Sequence, residues 1–132
     1  MAEYVVNIDG MDPMSEEITK VVFESKIPDT SNVRSANLSV KLTLEGKISL
    51  SSKKLTMVNN TKAIAAWSLL KPSLADSYKK VTVEYMHAEG PRKYELPDAF
   101  VISYTETFGA TDGTFILVLK QKEDMTEDVT IS

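Results

Sequence analysis

The sequence has no cysteine, a single histidine and only five glycines among its 132 residues. Without cysteine there is no disulfide, no thiolate metal site and no cysteine nucleophile. The single histidine, His87, stands beside Ala88-Glu89-Gly90-Pro91, and no Gly-x-Ser-x-Gly elbow accompanies it. The scarce glycines form no phosphate-binding loop. We therefore expect a protein that is not an enzyme and that carries no cofactor or metal.

The sequence is also poor in positive charge. Its 15 basic and 19 acidic residues give a formal charge of −4, which provides no electrostatic attraction to DNA or to anionic membranes. No apolar run approaches the roughly 20 residues that a membrane-spanning helix needs, and Met1-Ala2-Glu3-Tyr4 does not resemble a signal peptide. We expect a cytoplasmic protein with no nucleic-acid or membrane partner, exported, if at all, by a route other than a signal peptide.

Four carboxylates cluster near the first turn, and they raise the question of a calcium site. Asp9, Asp12, Glu16 and Glu17 do not have the spacing of an EF-hand loop. Asp12-Pro13 is typical of a turn. The cluster therefore predicts a solvated turn.

Period-two alternation of apolar and polar residues dominates the chain and predicts strands with one buried face. It is clearest at residues 38–50, where even positions are apolar except for Gly46. That run is either one long strand bent at Gly46 or a hairpin that turns there. Gly109-Ala110-Thr111-Asp112-Gly113 predicts the turn of a second hairpin. Further strands are predicted at residues 4–8, 21–25, 80–86, 100–108 and 114–122.

One helix is predicted, at residues 62–70. Asn60-Thr61 is a plausible N-cap, and Pro72 ends the helix. Ile64 and Trp67 recur at helical spacing, so they are predicted to be core anchors that face the sheet, with Leu70 as a third candidate. Trp67 could instead form a stacking platform with tyrosines, but a large aromatic at this spacing favours the core. Together, these elements predict a mainly β, single-domain barrel over residues 1–132 with one short helix. The acidic tail at about residues 123–132 is predicted to be either a loose end or a weak strand.

The order of these elements resembles a known family. Thr61-Lys62-Ala63-Ile64-Ala65-Ala66-Trp67-Ser68-Leu69-Leu70 is similar to the single helix of the haemolysin-coregulated protein (Hcp) family. The helix leads into Lys79-Lys80-Val81-Thr82-Val83-Glu84-Tyr85. Next, Tyr94-Glu95-Leu96-Pro97-Asp98-Ala99-Phe100-Val101-Ile102-Ser103-Tyr104-Thr105-Glu106-Thr107-Phe108 resembles a strand of the family, and Gly113-Thr114-Phe115-Ile116-Leu117-Val118-Leu119-Lys120 resembles its last strand. Hcp proteins are the inner-tube subunits of type VI secretion, and related tubes occur in contractile phage tails, R-type bacteriocins and extracellular injection particles.

The resemblance implies a tail-tube β-barrel that assembles into hexameric rings, which stack into a hollow tube. By the same resemblance, its partners are other copies of itself, sheath and baseplate or spike proteins, and effectors carried as cargo. The residue-level likeness covers about residues 61–122.

A long polar segment at residues 29–37 breaks the alternation, and loops of this length are uncommon unless they have a function. The resemblance implies that this loop reaches the neighbouring ring. The predicted interface residues are Asp29, Thr30, Ser31, Asn32, Val33, Arg34 and Ser35. A monomeric ligand-binding β-barrel is the alternative function, and a ring-sized rather than a monomer-sized particle would separate the two.

Overall fold

The computed structural model describes residues 4–26, 39–49, 55–70, 77–86, 89–109, 113–122 and 129–132. It confirms a mainly β fold with one short helix in the part of the chain so described. The elements are β1 (Tyr4–Ile8), β2 (Ile18–Lys26), β3 (Ser39–Ile48), α1 (Leu55–Ser68), β4 (Lys79–Tyr85), β5 (Arg92–Phe108), β6 (Gly113–Gln121) and β7 (Thr130–Ile131). Within these ranges no helix is long and apolar enough to cross a bilayer.

The strands form one antiparallel sheet in the order β1-β4-β5-β6-β3-β2, with β7 also paired to β5. The sheet is strongly curled. Val6 of β1 exchanges two backbone hydrogen bonds of 2.8 Å with Met14, which lies just before β2 at the opposite end of the strand order. The Phe23 ring on β2 also stacks on Tyr94 of β5, with 4.6 Å between ring centroids. The two ends of the sheet therefore come together around one core.

The alternation predicted from the sequence places every second side chain inside this curl. In β3 and β6, the side chains of alternate residues are buried along nearly the whole strand. The core contains Val6, Ile8, Met14, Ile18, Val40, Leu42, Leu44, Ile48, Ile64, Trp67, Val81, Val83, Leu96, Ala99, Phe115, Leu117 and Leu119. Side chains therefore fill the interior of the curl among the described residues.

The structure decides between the two alternatives for residues 38–50, because β3 is a single strand that runs through Gly46. A Cβ at Gly46 would lie 2.1 Å from the Glu17 carbonyl oxygen and 2.6 Å from the Phe115 ring. Glycine is needed here because the backbone of the β1–β2 connection and an aromatic ring both approach the strand closely. The second predicted hairpin is confirmed by the pairing of β5 with β6, which ends at Phe108 and Gly113.

The predicted start of the helix is wrong. Helix α1 begins at Leu55, so Asn60 and Thr61 lie inside it and are buried. The Thr61 hydroxyl donates to the Met57 and Val58 carbonyls one turn earlier, the back-bonding that Ser and Thr use inside helices. The buried stripe of α1 therefore includes two polar residues, and its first turns lack an apolar pattern that the sequence could reveal.

The predicted start of the long strand at residue 100 is also wrong, because β5 begins at Arg92. Its pairing with β4 shifts register between Leu96 and Ala99, and its pairing with β6 shifts between Val101 and Ser103. Each bulge adds an unpaired residue and bends the strand. Pro97 lies in the first bulge, where the missing N–H of proline is tolerated. The bulges interrupt the period-two pattern, which is why the sequence predicts only the second half of this strand.

Candidate assembly surface

A distinctive feature of the sheet is that β2 and the second half of β5 each have an edge without a backbone partner among the described residues. Strand β2 pairs with β3 on one side only. Strand β5 is paired by β4 only up to Ala99, whereas β6 continues along it to Phe108. We call residues 92–99 the paired half of β5 and residues 101–108 its open half. We call residues 19–26 of β2 and the free side of the open half the open edges.

Both open edges belong to the same four-stranded part of the sheet, in the order β2-β3-β6-open half of β5. Because each neighbouring pair is antiparallel, β2 and β5 at its two ends run in opposite directions. The unpaired N–H and C=O groups of such an edge are a template for pairing with another strand. This part of the sheet can therefore accept a strand at each end.

The side of this four-stranded part that faces away from the core is its outer face. Cross-strand register defines rows of side chains on this face. Three rows cross all four strands, read from β2 towards β5: Lys20, Glu45, Ile116 and Thr105; Val22, Thr43, Val118 and Ser103; and Glu24, Lys41, Lys120 and Phe100. Two shorter rows flank them, with Lys47, Thr114 and Thr107 on one side and Lys26 and Ser39 on the other. Salt bridges of 3.9 Å join Lys20 to Glu45 and Lys41 to Glu24.

On its inner side, the open half packs against the core through Val101 and Tyr104. The Tyr104 ring packs against Phe115 with 6.2 Å between centroids, and its hydroxyl donates to Glu106 Oε2 at 2.6 Å. Burial and the hydrogen bond to the Glu106 carboxylate, with the repulsion of its charge, raise the pKa of Tyr104. The contact of the Tyr104 ring with Phe115, and not its hydroxyl, holds this part of the open half against the core.

The buried carboxylate of Glu17 lies directly before β2, the strand at the opposite side of the four-stranded part from β5. Glu17 is 3% exposed; its Oε1 accepts the Ser15 N–H at 3.0 Å, and its Oε2 accepts the Asn60 side-chain amide at 3.4 Å. The Lys47 N–H donates to the Glu17 carbonyl at 2.7 Å. The sequence-based prediction of a solvated turn is therefore wrong for Glu17, which links the β1–β2 connection to α1 and β3. The only sequence signal would have been Asn60 on the buried stripe of the helix.

Both predicted core anchors lie in the core. Ile64 is fully buried, and Trp67 is 3% exposed with its Nε1–H donating to the Ser77 carbonyl at 2.7 Å. Leu70, the third candidate, is 36% exposed. Trp67 therefore packs in the core and does not form an exposed stacking platform. The predicted interface loop at residues 29–35 and His87 lie outside the described residues, so their roles stay predictions.

Comparison with known proteins adds a likeness in fold. The chain matches no protein-family model and no curated protein. Among solved structures, it is similar to a chain in the tail of an empty GTA particle computed with helical refinement and C6 symmetry. The two are 7% identical with a TM-score of 0.53, over 98% of this chain and 94% of that one. The two chains therefore share a fold. A chain of the six-fold symmetrised anti-feeding prophage (AFP) baseplate is also similar, at 14% identity and a TM-score of 0.49, over 100% of this chain and 93% of that one.

Proposed function

We propose that this protein is a structural, non-catalytic subunit that assembles head to tail into a closed ring, and that the rings stack into the inner tube of a phage-tail-like contractile injection apparatus. The observation that carries the proposal is the pair of open edges at opposite ends of one four-stranded sheet. Two different, complementary edges on one molecule generate a heterologous contact, which closes into a ring when the rotation between copies fits.

The strand directions agree with such a contact. Since β2 and β5 run antiparallel within one subunit, the open half of β5 in one copy meets β2 of the next copy as an antiparallel neighbour when the sheet continues across the boundary. Antiparallel pairing lets each copy satisfy backbone groups that are otherwise left to water. The continued sheets of all the copies then form a single wall around the ring.

A ring of six copies is the size that we propose, on the likeness of the fold to a chain of a tail with C6 symmetry. More specifically, we propose that the tube belongs to an Hcp-type apparatus. Its partners would be sheath and baseplate proteins and carried effectors. We also propose that the protein assembles in the cytoplasm and is exported through the apparatus itself.

Cysteine cross-linking tests the ring, because the natural chain has no cysteine to interfere. We expect the double variants Val22→Cys with Ser103→Cys, Thr105→Cys or Thr107→Cys to form, on mild oxidation, a ladder of covalent oligomers that ends at a closed ring. The three partners allow for different staggers of the two strands. Within one subunit, each pair is separated by three strand spacings, about 14 Å, which is too far for an internal disulfide.

Asn7→Cys with Thr130→Cys is the matched control. Both residues are exposed, and their strands are also three spacings apart, in the row Asn7, Thr82, Glu95 and Thr130 on the other part of the sheet. This double variant should run as a monomer on non-reducing gels. Equal cross-linking by control and test pairs, or a monomeric mass by light scattering at every concentration, would rule out the edge-paired ring.

A further inference from the structure

Gln121, the last residue of β6, is a polar side chain that is fully buried. The residues before it on the same inward side of the strand, Phe115, Leu117 and Leu119, are apolar and belong to the core. An apolar side chain of similar size would fill this position without the free-energy cost of burying a carboxamide. A polar side chain at the end of an apolar row indicates a specific hydrogen-bonding requirement beside it.

That requirement comes from the backbone of Asp98, in the first bulge of β5. Pro97 and Asp98 are the two residues of this bulge, where the pairing with β4 shifts register. The Lys122 N–H donates to the Asp98 carbonyl at 2.9 Å, and the Asp98 N–H donates to Gln121 Oε1 at 3.1 Å. Since proline has no N–H, Asp98 supplies the single backbone donor of the bulge. Both of its backbone polar groups are therefore bonded by the end of β6.

The Asp98–Gln121 hydrogen bond lies at the point where β5 changes partners. Before it, the strand pairs with β4 and, at its beginning, with β7; from Ala99 onward it pairs with β6. The second bulge follows directly, between Val101 and Ser103. Because bulges bend a strand and increase its twist, the geometry at this junction sets the direction of the open half relative to the paired half.

We propose that Gln121 is a positioning residue for assembly, whose hydrogen bond to Asp98 fixes the bend of β5 and with it the direction of the open half. The inference rests on the proposed ring. A head-to-tail contact closes into a ring when the rotation between copies fits, and it extends as an open filament when the rotation does not. The direction of the open half contributes to that rotation, so Gln121 helps to determine whether the assembly closes.

Removal of the Gln121 carboxamide should have a local effect. It leaves the Asp98 N–H without its acceptor in a half-buried bulge, and an unsatisfied donor away from water is costly. The bulge regains a partner from water by moving outward, which changes the bend of β5. The apolar residues of β6 keep their own packing during this movement, so the change is confined to the junction and the open half.

Gln121→Met tests the inference, because methionine has nearly the same length and lacks the acceptor oxygen. Leu119→Met is the matched control, since it places the same side chain at another fully buried, inward position of β6. Hydrogen–deuterium exchange is measured on the full-length protein at a concentration where light scattering gives a monomer. We expect Gln121→Met to speed exchange roughly tenfold at residues 98–108 and to leave β1 and β4 within about twofold of the wild type. Leu119→Met should show no such local change.

A second variant covers the case in which Gln121→Met does not fold. Asp98→Gly keeps the buried carboxamide and loosens the same bulge through the backbone. It should speed exchange at residues 98–108 in the same local pattern, because the bond then holds a more flexible segment. Asp98 is half-buried, so this change leaves the core intact.

The assembly measurement places Gln121→Met in the three cysteine double variants that pair Val22 with Ser103, Thr105 or Thr107. With Gln121 intact, we expect one partner position to cross-link best and the ladder to end at a closed ring. Gln121→Met should spread the cross-linking over the three partners and give a ladder without that end. Leu119→Met should keep the pattern obtained with Gln121 intact.

Two results would overturn the inference. Exchange that speeds up equally in all strands would mean that Gln121 serves only the overall stability of the subunit. A ladder in Gln121→Met that ends at the same ring, with the same preferred partner, would mean that the bend does not control closure. If no ladder forms with Gln121 intact, the ring itself is wrong; local exchange at residues 98–108 then still supports the role of Gln121 in the bend, and unchanged exchange still contradicts it.

Discussion

The two halves of β5 belong to one continuous strand, yet they have very different surroundings. The paired half has β4 along one edge and β7 at its beginning on the other, and it buries Leu96 and Ala99 completely. Among the described residues, the open half has only β6 beside it, and its side chains are exposed or half-buried, with Phe108 53% exposed. Two bulges separate the halves and bend the strand between them.

The difference shows where the fold is complete and where it leaves backbone groups for another molecule. Around the paired half, burial of apolar side chains and satisfied backbone groups stabilise the subunit on its own. Along the open half, the strand has hydrogen-bonding capacity that the described residues do not use. Substitutions in the two regions should therefore separate into those that unfold the subunit and those that leave it folded but unable to assemble.

The largest loss of stability is expected at Trp67, which closes the core beside the start of β4. Trp67→Ala should lower the free energy of unfolding by about 3–5 kcal/mol, because it leaves a cavity under α1 and removes the hydrogen bond from the Trp67 indole to the Ser77 carbonyl. Urea denaturation measures the change. Trp67→Phe keeps most of the ring volume and should lose less. A loss under about 1 kcal/mol for Trp67→Ala would contradict the assignment of this side chain to the core.

A smaller but still large effect is expected at Gly46, where β3 passes under the β1–β2 connection. Gly46→Ala should lower the free energy of unfolding by about 1–3 kcal/mol or more, because its methyl group overlaps the Glu17 carbonyl oxygen. Adding Phe115→Leu relieves the ring contact at 2.6 Å but not the backbone contact at 2.1 Å. A thermal or urea double-mutant cycle should therefore show little rescue. Full rescue by Phe115→Leu would mean that the ring, and not the backbone, sets the constraint.

Much of the fold could be predicted from the sequence because period-two alternation is a local signal. It predicted β3, β6 and the β5–β6 hairpin. The helix core residues Ile64 and Trp67 follow from their spacing alone. The first turns of α1 were not predicted, since their buried polar residue Asn60 takes part in a tertiary contact: its side-chain amide donates to Glu17, 43 residues away in the sequence.

The open edges were harder to predict for a related reason. Whether a strand edge is open depends on which strands lie beside it, and that is decided by the sheet order and not by the strand's own residues. The alternation did not predict the paired half of β5, because Pro97 and the adjacent bulge interrupt it, whereas the family resemblance had placed a strand from Tyr94. The loop at residues 29–35, which the family resemblance implied as an interface, lies outside the described residues and stays a prediction.

The smallest effect on stability, and the largest on assembly, is expected from charges placed on the open half. Ser103 and Thr105 are exposed and lie on the outer face. Ser103→Lys/Thr105→Lys should change the free energy of unfolding of the monomer by no more than about 0.5 kcal/mol. In an edge-paired ring, however, the new lysines meet a neighbouring β2 whose outer-face charges are Lys20, Glu24 and Lys26, and Glu24 already forms a salt bridge with Lys41 of its own subunit. Like charges across the pairing should then prevent ring formation, and high salt should partly restore it.

The matched control adds the same two charges to the other part of the sheet. Asn7→Lys/Thr130→Lys changes two exposed residues on β1 and β7, which lie away from the proposed contact, so it should assemble like the wild type. Light scattering over a range of concentrations reports the mass, and urea denaturation at low concentration reports monomer stability without the contribution of assembly. If both double variants assemble equally well, the open half of β5 is not the contact between subunits. If Ser103→Lys/Thr105→Lys unfolds the monomer, the open half belongs to the folding unit, and the distinction between the two halves of β5 fails.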